Sequence, residues 1–138
     1  MNITVNWLKK DFHMEAGNEE GGKIRIDGNT VIGGLEGGMS PMQLLLAGIG
    51  GCSAIDVISI LEKQKQELTD LKVIVDGDKQ NTDVGYSEYK TIHMHFVLSG
   101  NLDPKKVERA LNLSITKYCS VSKALEKGSE ISYDYEIV

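Results

Sequence analysis

Cysteine is scarce in this chain: 138 residues hold two, Cys52 and Cys119. No C-x-x-C pair can be drawn from them, which excludes a zinc knuckle or a thioredoxin-type motif read from spacing. Basic residues are outnumbered as well. Fifteen Lys and Arg against twenty Asp and Glu leave a net charge of -5, the reverse of the basic footprint that nucleic acid requires. The opening Met1-Asn2-Ile3-Thr4-Val5 lacks a cationic stretch leading into an apolar core, so no secretory signal is expected. Nor does any uninterrupted apolar run reach the roughly eighteen residues of a membrane span. These absences predict a cytoplasmic protein with neither nucleic-acid nor membrane partners. Two cysteines in a reducing compartment are not expected to form a permanent disulfide, whereas a transient catalytic one stays open.

What is present reads as one globular domain, residues 1–138, with no repeat, low-complexity tract or linker. Hydrophobic content of 41% and charged content of 25% suit a packed core. Ile3, Val5 and Trp7 alternate with polar residues, Phe12 and Met14 continue as a second strand, and Ile24 and Ile26 mark a third. Asp27-Gly28-Asn29 is a turn signal, and Gly33 to Gly38 the expected flexible loop.

A long helix should start at Ser40-Pro41-Met42-Gln43, where Ser40 and Gln43 form a capping box around a proline suited to the first turn. From Leu44 to Leu61 it is apolar or small on nearly every face, which marks a central, enclosed helix. Gly48, Gly50 and Gly51 together forgo roughly 3 kcal/mol of helix propensity, so a close approach or a kink is expected there.

Leu71, Val73 and Val75 then alternate inward before Asp76-Gly77-Asp78, read as a turn. Ile92, Met94, Phe96 and Leu98 share one face of the next strand. Asp103 and Pro104 start a second helix whose stripe runs through Val107, Leu111, Ile115, Tyr118, Ser122 and Leu125, with Gly128 past its end. A last strand carries Ile131, Tyr133, Tyr135 and Ile137 on one face. The expected class is α+β: antiparallel sheets packed on two long helices, with a homodimer covering the first helix.

Each cysteine falls inside a helix. If the helices pack together, the thiols meet and the chain is a thiol redox protein; if not, both are small core residues. Asp56 stands one turn beyond Cys52 and needs a partner on so apolar a helix. Lys123, one turn beyond Cys119, could favour a thiolate, pair with Asp56, or simply be solvated. His93 and His95 point to one strand face, but spacing supplies no third ligand, so no metal site is assigned. The glycines match no phosphate-binding fingerprint, and no cofactor is expected.

Ser40-Pro41-x-Gln43-Leu44 leading to Gly51-Cys52, joined by Cys119-Ser120-Val121-Ser122-Lys123-Ala124-Leu125, resembles the OsmC/Ohr family over the whole chain. Gly50-Gly51-Cys52-Ser53-Ala54-Ile55-Asp56 with Lys117-Tyr118-Cys119-Ser120-Val121 is most similar to its YhfA-like branch. The resemblance implies an intertwined homodimer with sites at the subunit interface. It also implies a thiol peroxidase for organic hydroperoxides, with Cys52 as the attacking thiol, Cys119 as the resolving one, and a lipoyl-type dithiol as reductant. Asp56 and Lys123 rank as possible tuning residues.

Three positions depart from the family pattern: Met42 replaces a Glu, Ser120 replaces a Pro, and Arg25 is the only arginine near the expected early activating Arg. Those departures keep two other readings alive. One is a binding protein holding an apolar molecule in a dimer-interface pocket lined by Met42, Leu45 and Ile49; the other is a thiol redox sensor.

Overall fold

The computed structural model describes residues 1–28 and 37–138. Most of the Gly33–Gly38 stretch and the end of the Asp27-Gly28-Asn29 signal lie outside the described residues. Two compact units are present, Met1–Leu45 and Leu46–Val138.

In the first unit, β1 (Ile3–Trp7), β2 (Met14–Asn18) and β3 (Lys23–Ile26) form an antiparallel sheet in that order. The alternation read from the sequence is present, yet Ile3, Val5 and Trp7 are all more than half exposed within the chain. This unit also holds the start of α1 (Pro41–Lys63). The capping box forms as expected: the Gln43 amide donates to Ser40 Oγ at 3.2 Å, and Ser40 N–H donates to Gln43 Oε1 at 2.9 Å.

The second unit is built on a hairpin of two fifteen-residue strands, β4 (Glu67–Asn81) and β5 (Ser87–Asn101), with β6 (Glu130–Ile137) on the far side of β5. Ile92, Met94, Phe96 and Leu98 of β5 have no exposed surface, so the predicted face is the core face. Ile49, Val57 and Leu61 of α1 join that core, as do Val107, Ala110 and Leu111 of α2 (Pro104–Leu113). Each large side chain so buried contributes about 1.5–3 kcal/mol. Gly50 is required by the packing: a Cβ there would stand 2.9 Å from Val75 Cγ2. Among the described residues Gly51 has no such reason, since a Cβ would meet nothing within 4 Å.

Four expectations need correction. Asp76-Gly77-Asp78 does not turn the chain. Gly77 stays in β4 opposite Ile92, with a register shift before Lys79, and the hairpin closes instead between Thr82 and Tyr86 at 2.8 Å. The Tyr89 ring lies so close over Gly77 that an added Cβ would come within 2.6 Å of it, so the glycine serves packing and not turning. The sheet is not wholly antiparallel, because β6 pairs with β5 in parallel. A parallel neighbour needs a long crossover, and the helical segment before β6 supplies it.

The second helix is not continuous either. It runs as α2, a π turn over Ser114–Tyr118, and α3 (Ser120–Leu125). Finally, α1 spans 23 residues and is apolar enough to cross a membrane by length and composition, contrary to the sequence reading. Its buried positions Ile49, Gly50, Ser53, Val57 and Leu61 recur at helical spacing, the pattern of a helix with one face in a core. The fold is thus mixed α/β, with two three-stranded sheets and helices among the described residues.

Candidate functional site

Cys52 and Asp56 lie on one face of α1, a turn apart, and both are half-buried. Cys119 comes from the junction of the π turn and α3. The π turn ends where Cys119 N–H donates to the Ser114 carbonyl at 2.7 Å, and Cys119 then leaves helical geometry (φ -72°, ψ 104°) to cap α3. An inserted residue of this kind re-aims the next side chains, and such insertions are frequent at functional sites. Here it delivers a fully buried thiol to α1. The Cys52 and Cys119 sulfurs and an Asp56 carboxylate oxygen all lie within 4.8 Å of one another.

Three serines hold this cluster. Ser114 donates its hydroxyl to Asp56 Oδ2 at 3.0 Å, which answers the need for a partner. Ser53 donates to Cys119 Sγ at 3.4 Å and the Ser122 amide does so at 3.3 Å. Burial pushes the Cys119 thiol up; the Ser53 and Ser122 donors pull against that, and neighbouring Cys52 adds to it. A buried, protonated thiol beside a half-exposed one suits a division into resolving and attacking sulfurs.

Lys123 is placed elsewhere: its ammonium pairs with Glu126 at 3.2 Å. Arg25 pairs with Glu15 at 3.4 Å within the first unit. Among the described residues, no ion pair joins Asp56 to a cation. A cleft of about 510 Å³ opens beside Asp56, with Ile60, Leu113 and Tyr118 as apolar wall and Lys63 and Arg109 as cations.

Residues 33–134 match the family described as OsmC-like protein. Protein YhfA of Escherichia coli K12 is 39% identical over 139 residues, spanning 100% of this chain and 98% of the relative. The chain belongs to the OsmC-like protein family. Solved structures agree on this OsmC-like fold. A hypothetical protein from Aquifex aeolicus superimposes with a TM-score of 0.80 at 29% identity, covering 99% of this chain and 96% of its own. An organic hydroperoxide resistance protein OsmC from Legionella pneumophila gives 0.75 at 18% identity, covering 98% and 95%.

In this OsmC-like chain the fold brings together Cys52, Cys119 and Asp56, all three candidates from the sequence. Ser53 and Ser114 did not stand out there as site residues. Both are small polar residues on otherwise apolar helix stripes, a weak signal that a buried hydroxyl has a job. Arg109, which lines the cleft beside Asp56, carries no signal in the sequence, because its position on the amphipathic α2 reads as ordinary solvated surface.

Proposed function

We propose that this OsmC-like protein is a thiol peroxidase reducing organic hydroperoxides through Cys52 and Cys119. The observation that carries it is the convergence of the two thiols within 4.8 Å, one half-exposed and one buried. The hydroperoxide resistance ascribed to the Legionella relative supports the reaction class. The Cys52 thiolate attacks the outer peroxide oxygen, the O–O bond breaks, and the alkoxide leaves as alcohol after taking a proton. The resulting sulfenic acid condenses with the Cys119 thiol, forming the S–S bond and releasing water. The sulfurs close to about 2.05 Å in that step. A lipoyl-type dithiol restores both thiols by exchange and is itself oxidised to a disulfide.

The working form is a homodimer in this reading. Ile55 and Ile58 on α1 are 70% and 46% exposed within the chain, an expensive face to leave in water. A second copy laid on that face would also shield Cys52, which is half-buried on the same helix. Adding one equivalent of cumene hydroperoxide to reduced protein should yield an intramolecular disulfide. Undiminished peroxide consumption by Cys52→Ser would sink the assignment.

A second reading, a binding protein for an apolar small molecule with little turnover, draws on the partly apolar cleft beside Asp56. The Met42–Leu45–Ile49 lining expected from sequence fits it poorly, because Ile49 has no exposed surface. Native mass spectrometry of freshly purified protein separates the two: a co-purifying ligand with negligible peroxide turnover favours the binding role.

A further inference from the structure

We infer that the fully reduced Cys52–Asp56–Cys119 cluster is a binding site for a zinc-class divalent cation. Two sulfurs and a carboxylate oxygen from separate elements stand within 4.8 Å of one another. In a tetrahedral zinc centre with bonds of about 2.0–2.3 Å, neighbouring donors sit roughly 3.5 Å apart. A contraction of about an ångström therefore closes the site around an ion. Two thiolates and one carboxylate suit a borderline-soft ion over magnesium or calcium, which prefer all-oxygen shells.

The surroundings are those of a ligand set and not of a bare cluster. The Ser114 hydroxyl donates to Asp56 Oδ2 and so anchors the carboxylate that faces the two sulfurs. Ser53 and the Ser122 amide donate to Cys119 Sγ, as donors do to ligating thiolates. Cys52 and Asp56 sit at i and i+4 on a 23-residue helix, a rigid pair of ligands on one face. Both are half-buried, which gives an ion a way in and leaves a fourth position for water. Spacing could not reveal this site, because its third ligand is 63 residues beyond Asp56 and reaches it only through the π turn.

Ion binding does not depend on peroxide turnover, although the two share sulfurs. A metal-bound dithiolate oxidised by one hydroperoxide, with two protons taken up, gives the disulfide, one alcohol, one water and the released dication. Ion binding and disulfide formation thus exclude each other.

The test is a titration of fully reduced protein with Co²⁺, then Zn²⁺ competition, in the absence of oxidant. Thiolate-to-cobalt charge-transfer absorption saturating at one ion per chain, and bleached by Zn²⁺, is expected. Cys52→Ser should lower affinity about a hundredfold or more and Asp56→Asn about tenfold or more, with the fold checked by circular dichroism. Absence of the band, or wild-type affinity in Asp56→Asn, overturns the inference. So does cobalt binding that shows no thiolate band and is lost in His93→Gln/His95→Gln, which would place the ion at the imidazoles of β5. Protein that consumes peroxide without binding cobalt loses only this inference. Protein that binds cobalt without consuming peroxide loses only the peroxidase reading.

Discussion

Ser114 donates its hydroxyl to Asp56 across 3.0 Å, joining the π turn to α1 at the one carboxylate α1 carries between its cap and its last turn. Neither residue makes sense alone: a carboxylate on an apolar helix needs a donor, and a buried serine needs an acceptor. Ser114→Ala is expected to cost about 1–3 kcal/mol, because the half-buried carboxylate loses its donor. Urea unfolding of the two proteins measures it; a difference within error would mean that water replaces the hydroxyl at no cost.

The division of labour between the thiols predicts different fates for their variants. In Cys119→Ser, one equivalent of hydroperoxide should leave a persistent sulfenic acid on Cys52, which a dimedone-type reagent captures. The wild type should show no lasting label, because Cys119 condenses with the sulfenic acid. Equal labelling in both proteins would remove Cys119 from the resolving role.

Adjacent glycines in α1 should respond to alanine with opposite signs. Gly50→Ala puts a methyl 2.9 Å from the stiff, β-branched Val75, so about 1–3 kcal/mol of overpacking cost is expected. Gly51→Ala meets nothing within 4 Å among the described residues and gains about 1 kcal/mol of helix propensity. Thermal melts of both variants check the pair. Destabilisation by Gly51→Ala would show that the proposed second copy packs there.

On the outer face of the second sheet, His95 Nδ1 and His93 Nε2 contact Asp134 Oδ1 at 2.8 and 2.9 Å, and His95 Nε2 lies 3.3 Å from Glu136. Hydrogen bonds to Asp134 and Glu136 raise the His95 pKa, while His95 and His93 lower that of Asp134. A raised imidazole stabilises the fold fully below its unfolded value of about 6.5 and loses that contribution as pH rises through the folded value. A lowered carboxylate contributes above about 3.9 and is lost as pH falls further. The window is therefore mildly acidic. The melting-temperature gap between wild type and His95→Gln should be larger near about pH 5.5 than near about pH 8. A gap independent of pH would assign the loss to packing.

The proposed dimer face gives a further outcome. Ile55→Glu places a charge on the most exposed large apolar residue of α1 and should shift sedimentation from dimer to monomer. An unchanged dimer would put the interface elsewhere.

Much of the fold was legible because it rests on local chemistry. The Ser40–Gln43 box, the Asp103-Pro104 start of α2 and the strict alternation of Ile92 to Leu98 each fix one element with residues a few positions apart. Asp76-Gly77-Asp78 misled for the same reason. A turn-like triplet was judged locally, while a Tyr89 ring twelve residues away uses the glycine for packing.

The sequence by itself determined two cysteines on helical segments, a carboxylate one turn from the first, and a family frame around them. Only the tertiary structure decided that these groups meet. It sent Lys123 to Glu126, gave Asp56 the hydroxyl of Ser114, and turned Cys119 toward α1 through one extra residue in a helical turn. Periodicity tells which face of an element is buried, but where two buried faces touch depends on how the elements cross. That crossing is set by the summed packing of the whole core, which no short stretch of sequence contains.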